Sequence, residues 1–433
     1  MKNFETDVVI VGSGAGGSTV AEKLAASGKK ILILEKGSKR GRCRQSRRLR
    51  HFFLNADFLY DELTEEKIVN RTIDVLYRIG TGGTTIVSSG ILVRSLEARL
   101  QSLGIDIEKE FTEIAQELNV APYPEERLGS GAFRLHTAAA SLGFKWDPMP
   151  KAVNFEKCCF CGKCTHDCLT NSKWTANDFL VKAQSKGVAF YENVTVKEIL
   201  ATNGKALGVK GRLGFEEFRV SADVVILSAG AVETALILMN SGIDRAGNRL
   251  FCDPYYVMYD SSDNVRYRKE PSAIINTEFI QSRGFMMANS NVTKLEKIHR
   301  RLPLSFKPDV IPAMLGIMVK IKDDSSGKVF RDGRIHKELT SADSEKIISS
   351  SSIAYEILSR AGAAHEYAKI RFFPGVHPGG TAAIGDVVDE NLETEIENCY
   401  VADASVLPEA PGLPPMLTIM ALSRRLAKRL SDM

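Results

Sequence analysis

Five of the chain's eight cysteines, Cys158, Cys159, Cys161, Cys164 and Cys168, fall within eleven residues. Cys158-x2-Cys161-x2-Cys164-x3-Cys168 is a ferredoxin-type run, in which three thiolates wrap one iron–sulfur cluster and the fourth commonly serves another. With a single run, either Cys168 bends back, or Cys43, Cys159 or Cys252 completes the shell, or the cluster has three irons. The expected group is therefore [4Fe–4S] or [3Fe–4S], with Cys158, Cys161, Cys164 and Cys168 as its metal ligands. A zinc knuckle and metal-free thiols compete with it, although zinc sites prefer paired Cys-x2-Cys halves across a longer loop. Far upstream stands a second motif, Gly12-Ser13-Gly14-Ala15-Gly16-Gly17. Such glycines allow a tight turn and let backbone approach a pyrophosphate, while the following helix offers unpaired N–H groups and a favourable dipole. Glu35, followed by Lys36, stands about twenty residues on, where a carboxylate accepts ribose hydroxyls and disfavours a 2′-phosphate; FAD or NAD is preferred to NADP. A chain holding a flavin and a one-electron relay moves electrons.

The elements that must position these groups follow from periodicity. Residues 7–11 form a short apolar run, 18–27 have helical spacing, and 30–35 are apolar again, which makes a βαβ unit around the glycine turn. A second glycine-rich stretch, 78–90, contains Gly82, Gly83 and Thr84 and suits backbone passing close to a flavin or its phosphates. From 100 to 142 the pattern is helical, with Pro122, Pro124 and Gly129 as breaks. Strand-like runs at 187–194, reaching Val194, and at 222–230, ending on Ala229 and Gly230, complete a nucleotide domain, the latter feeding a helix over 232–241. From 252 to 373 the chain reads as alternating strand-like runs and polar turns, as at 312–322 and 333–339. The tail returns with a strand at 399–402 and a helix over 416–430. The expected fold class is α/β: a discontinuous Rossmann-like FAD-binding domain, residues 1–254 and 374–433, with an inserted antiparallel-sheet substrate domain, residues 255–373.

Composition narrows the function classes. Lys and Arg number 57 against 53 Asp and Glu, so the overall balance gives no support to a nucleic-acid partner. The imbalance is local: Lys39, Arg40, Arg42, Arg44, Arg47, Arg48 and Arg50 form a basic run that is either a solvated loop or a landing patch for an acidic electron carrier or anionic substrate. No stretch reaches eighteen uninterrupted apolar residues, and no signal peptide precedes the first strand, so no transmembrane segment and a cytoplasmic location are expected. Clustered thiols in a reducing compartment read as metal ligands, not disulfides.

The order of motifs resembles the glucose–methanol–choline (GMC) oxidoreductases, FAD flavoproteins that oxidise alcohols. The resemblance rests on the first glycine motif, on Gly82-Gly-Thr-Thr-Ile-Val-Ser88, on Ser228-Ala-Gly-Ala-Val-Glu-Thr234, on Gly247 through Asp253-Pro254, on His377-Pro-Gly-Gly-Thr-Ala-Ala-Ile-Gly385, and on Val401-Ala-Asp-Ala-Ser405 through Leu422. It implies that Asp403, Ala404, Pro415 and Met416 join the flavin site and that His377 takes a hydroxyl proton, as an imidazole titrating near neutrality can. It also implies a small-molecule substrate between flavin and inserted sheet, and a cluster passing electrons to a ferredoxin-like or other carrier protein. Two departures stand out: Pro414 occupies the place of a second histidine or asparagine, and Ser88 that of an asparagine. Because proline has no side-chain hydrogen bond to give, a carrier-fed reductase of a carbonyl or C=C bond is the alternative, with an electron-transfer subunit of a larger complex as a third. Tyr255, Met258, Phe285, Met286, Met287 and Met314 could line a hydrophobic pocket or form an ordinary core.

Overall fold

The computed structural model describes residues 2–45, 58–59, 63–165, 168–262, 271–290, 314–363 and 369–432. Within them the chain builds two seven-stranded sheets. In the first, Val194–Thr202, Lys205–Leu213, Glu216–Leu227, Lys2–Val11, Ile31–Leu34 and Ala189–Tyr191 lie side by side, and Cys399–Val401 also pairs with Glu216–Leu227. Lys2–Val11 runs parallel to both of its neighbours, and Cys399–Val401 is parallel to its partner. Strands buried on both faces need continuous apolar runs, and Val8–Val11 and Ile31–Leu34 supply them, all 5 % exposed or less.

The carboxyl ends of these parallel strands meet. Gly12 N–H donates to the Leu34 carbonyl at 2.8 Å, Ser228 N–H to Val11 at 2.7 Å and Ala402 N–H to Leu227 at 2.7 Å. In open α/β sheets the ligand crevice lies outside such ends. The helix Ala15–Leu24 leaves the first turn and packs on the C-terminal helix Met416–Ser431. That helix is pinned in turn to Glu108–Glu117: Arg424, 1 % exposed, reaches Glu117 at 2.5 Å, and Lys428 reaches Glu110 at 2.7 Å. The helical stretch expected over 100–142 consists of Glu97–Ser102, Glu108–Glu117 and Ser130–Ser141; Pro122, Pro124 and Gly129 fall in the second break, and the first, around Gly104, was not expected.

The second sheet is antiparallel, in the order Phe58–Leu59, Lys369–Phe373, Tyr255–Ser261, Met314–Ile321, Phe285–Asn289, Ile274–Asn276, Asp147–Pro148. Two of its strands come from well before residue 255. Met258, Phe285, Met286, Met287 and Met314 are buried and pack as core. The sheet carries an element that the strand-and-turn reading of 252–373 lacked, the twenty-residue helix Ser341–Arg360. Its serine-rich sequence hides a face of small residues, with Ser344, Ser350, Ser351 and Ala354 buried beside Ile347 and Ile357. Its start is fixed by a capping box: Thr340 Oγ1 accepts from Asp343 N–H at 3.2 Å and the Asp343 carboxylate accepts from Thr340 N–H at 3.2 Å. Thr340→Ala removes one half of this exchange and is expected to lower Tm by about 1–3 °C in a thermal melt, without changing the flavin content.

Candidate active site

Three helices begin at one pocket. Ala15–Leu24, Ala231–Asn240 and Met416–Ser431 have no side-chain cap on their first N–H groups, and Ala15, Ala231 and Pro415 line the cavity. Uncapped N-termini present donors and a positive dipole end to an anion. Glycines keep the approach open. Gly12 has φ +105°, and a Cβ there would overlap the Ser228 carbonyl; one on Gly16 would overlap that of Ala402, and one on Gly17 that of Gly12. Gly14 and Gly83 face each other backbone to backbone, since a Cβ on Gly83 would stand 2.9 Å from the Gly14 Cα.

Of the residues that the sequence points to, Gly12, Gly14, Ala15, Gly16, Glu35, Lys36, Gly83 and Thr84 line this cavity, together with Val194, Ala229, Gly230, Asp403, Ala404, Pro415 and His377. Gly17, Gly82 and Met416 stand behind it and shape the turn or the helix start. Glu35 also holds the loop together: Oε2 accepts from Ser13 N–H at 3.1 Å and Ser13 Oγ–H at 2.8 Å, and Oε1 accepts from Gly37 N–H at 2.8 Å. Asp403 acts mostly as a brace, its Oδ2 accepting from Gly230 N–H at 2.8 Å and Thr234 Oγ–H at 2.6 Å and its Oδ1 from Ser405. Lys36 meets Glu233 at 2.6 Å across the mouth, a pairing that no sequence signal marked.

His377 shows only part of its ring to the pocket, its side chain 24 % exposed. Its Nδ1 is turned away from the cavity, 3.1 Å from Asp253 Oδ2 and 3.1 Å from Lys320 Nζ. Asp253 is fully buried, and its Oδ1 accepts from Gly412 N–H at 3.0 Å, so one carboxylate ties the histidine loop to the segment carrying Pro414. Burial, reinforced by the Lys320 charge, holds the His377 imidazole well below its ordinary range. Burial pushes the Asp253 carboxyl up, opposed by Lys320, and pushes Lys320 down, opposed by Asp253. The ring is therefore neutral at physiological pH. Asp253 and Lys320 were not singled out from sequence for any role.

The thiol loop lies against the second glycine-rich stretch. Lys173, 5 % exposed, donates from Nζ to the carbonyls of Ile86, Ser88 and Cys164, each at 2.8 Å, and of Thr85 at 3.3 Å. This clamps the loop to the 3-10 turn Gly83–Val87. Lys151, 1 % exposed, lies over the Tyr123 ring and beside Cys164 and Cys158. Burial raises the Cys164 thiol, while Lys151 and Lys173 act to lower it. Burial also raises Cys168, but hydrogen bonding to Ser172 and neighbouring groups outweighs it and brings that thiol to about 7. Among the described residues no three His, Cys, Asp or Glu side chains gather closely enough to hold one metal ion. Cys252, considered above as a completing ligand, is instead buried beside Asp323, with Sγ 3.9 Å from its carboxylate. The Cys43 side chain and Arg47, Arg48 and Arg50 of the basic run lie outside the described residues. No described helix is long and apolar enough to cross a membrane.

A mixed sheet with parallel central strands, a glycine turn with an acidic strand end, and three helix starts around one cleft define a dinucleotide-binding oxidoreductase, and their fit is to a bound diphosphate such as that of FAD. Residues 6–255 and 332–423 match the N-terminal and C-terminal parts of the GMC oxidoreductase family. The chain belongs to the GMC oxidoreductases, and it is an FAD-dependent enzyme. It is 27 % identical to an uncharacterized protein of Methanocaldococcus jannaschii, over 98 % of this chain and 99 % of that one. It is 24 % identical to a long-chain-alcohol oxidase of Arabidopsis thaliana, over 99 % of this chain and 68 % of that one. In fold it is similar to the pyridoxine 4-oxidase of Mesorbium loti (TM-score 0.72, 14 % identity, 99 % of each chain) and to the formate oxidase of Aspergillus oryzae (TM-score 0.67, 14 % identity, 100 % of this chain and 99 % of that one).

Gly16→Val places branched carbon where the Ala402 carbonyl stands. Purified G16V is expected to lack yellow colour, with the 450 nm to 280 nm absorbance ratio reduced at least about tenfold; retention of full flavin would contradict the cradle described here.

Proposed function

We propose that this enzyme oxidises the CH–OH carbon of a small-molecule alcohol, with His377 taking the hydroxyl proton. The observation that carries the reading is the held imidazole: Nδ1 faces the Asp253 carboxylate at 3.1 Å, and the remaining edge of the ring faces the cofactor pocket. An Nδ1–H donated to Asp253 leaves the Nε2 lone pair toward the cavity, the form a general base needs. Bound FAD supplies the hydride acceptor, held by the Gly12–Gly17 turn, Glu35, the Gly83–Thr84 backbone, Ala404 and the helix start at Pro415. The antiparallel sheet, built mainly from residues 255–373, forms the far wall over the substrate, and residues 1–254 and 374–433 supply the flavin domain. The alcohol and pyridoxine oxidases among its relatives and neighbours support this substrate class.

The thiol loop favours a second reading, in which Cys158, Cys161, Cys164 and Cys168 hold an iron–sulfur centre serving a ferredoxin-like or other carrier protein. Its support is the pair of buried cations, Lys151 and Lys173, set against Cys164. Both charges act to lower that thiol, against the burial that raises it on balance. The free thiols also suit a reducing, cytoplasmic compartment.

His377→Ala is expected to keep FAD yet lose at least about a hundredfold in the rate of anaerobic flavin bleaching by a panel of primary alcohols, pyridoxine included, read by stopped-flow absorbance. Bleaching at the native rate would remove His377 from the chemistry. In the native enzyme the rate is expected to stay level from pH 8 down through pH 6.5 and to fall only below it, because the depressed imidazole protonates late. Iron and acid-labile sulfide, assayed on protein purified without oxygen, decide the second reading: three to four irons per flavin support it, and none removes it.

A further inference from the structure

Lys320 is placed where an unopposed charge is costly. It sits on Met314–Ile321, a strand whose other residues are apolar, and is 3 % exposed. Its ammonium nitrogen lies 3.1 Å from His377 Nδ1 and 3.6 Å from Asp253 Oδ2. The segment Gly412 to Met416 offers Pro414 where the resemblance expects a polar partner, and it meets Asp253 only through the Gly412 N–H. The second polar group at the histidine therefore arrives from a different element, the antiparallel sheet.

We propose that Lys320 is a positioning residue of the proton-transfer site: its buried ammonium, set against both the Asp253 carboxylate and the His377 ring, keeps that ring uncharged and able to take a proton from the pocket side. A carboxylate alone behind an imidazole would favour imidazolium, because an ion pair in a dry site is strongly attractive. With Lys320 present, Asp253 already has its countercharge, and a second cation at 3.1 Å would be repelled. Nδ1 has one in-plane position, so with its N–H donated to Asp253 the Lys320 ammonium makes its own hydrogen bond to Asp253 and acts on the ring by charge alone; Asp253 then orients the ring without charging it.

The other charged groups around the pair leave this balance in place. Asp323 stands two residues beyond the end of that strand and faces Lys337 at 3.0 Å, both side chains fully buried. Lys322 pairs with Glu409 at 2.6 Å. Cys252 lies between Asp253 and Asp323, its thiol held protonated by burial. Each carboxylate near Lys320 thus has a lysine of its own, and Lys320 is the cation paired with Asp253, with Lys322 adding a weaker pull on the same carboxyl.

The inference rests on His377 being the base, and its test has a readout that needs no turnover. In the FAD-loaded full chain, histidine labelled with 13C at Cε1 gives one signal for each of the seven histidines, and H377N assigns the one of interest. In the native enzyme the His377 signal is expected to remain that of neutral imidazole well below pH 6.5. K320M, with K320Q as a second neutral replacement, is expected to raise its titration by about one unit or more, and to move the acid limb of flavin reduction upward by the same amount. K320R, which keeps the charge, is expected to hold both near the native position. Removing both charges in K320M/D253N is expected to bring the titration back down from its K320M position to below the ordinary histidine value near 6.5, because the burial of the ring remains. A His377 titration unmoved in folded, FAD-loaded K320M and K320Q overturns the proposal. A moved titration combined with native turnover in H377A overturns the base assignment instead, and with it any proton for Lys320 to govern.

Discussion

Gly16 has no room for a side chain because the carbonyl oxygen of Ala402 lies where its Cβ would be, and much of the molecule is arranged around that meeting of two distant stretches. Ala402 follows the strand Cys399–Val401, which is parallel to Glu216–Leu227, which is in turn parallel to Lys2–Val11. Ser228 Oγ–H donates to the same Ala402 carbonyl at 2.6 Å. Three strand ends are thereby brought to one level, and the turns leaving them become the floor of the cofactor site. Backbone contact at this range admits little adjustment, so the glycine turn, the Asp403 brace and the start of the C-terminal helix are placed relative to one another within a few tenths of an ångström.

The second sheet makes a different use of its interior. Asp253, Lys320, Asp323 and Lys337 are all buried, arranged as two opposite-charge pairs. Such pairs add little net stability over well-packed apolar side chains, since desolvation offsets much of their attraction. Here the pairing joins segments that are remote in sequence. Asp253 alone touches the histidine loop, the strand bearing Lys320 and the Gly412 backbone. The charges specify how those three segments meet, and so where the imidazole points.

The parts of this arrangement that are local could be read in the chain. The strand at 7–11, the glycine turn and Glu35 carry their structure in neighbouring residues, and glycine is demanded at Gly12 by a positive φ as well as by space. His377 was legible only because its loop resembles a family pattern; an isolated histidine has no such signal. Lys320 was hidden for the opposite reason. A lysine inside the run Met-Leu-Gly-Ile-Met-Val-Lys-Ile resembles the solvent-side residue of an alternating strand, and its partners stand 67 and 57 positions away at Asp253 and His377. Lys151 and Lys173 were missed in the same way. The helix Ser341–Arg360 had a readable start in Thr340-x-x-Asp343, but its many serines mask the buried stripe. Tertiary contact, not propensity, decides such positions.

The joining of Gly16 to Ala402 also has a bearing on how the protein is made. Residue 402 leaves the ribosome some 390 residues after Gly12, which at ordinary synthesis rates is a delay of roughly 20–80 s. Through that interval the first βαβ unit exists without the strand, the brace and the helix start that close its cleft. The nascent cradle can grip its dinucleotide only loosely until the tail arrives, and its exposed apolar strand ends need shielding from other chains. Cofactor supply and chaperone access during those seconds, more than the stability of the finished fold, would set the yield of active enzyme in a cell that makes it.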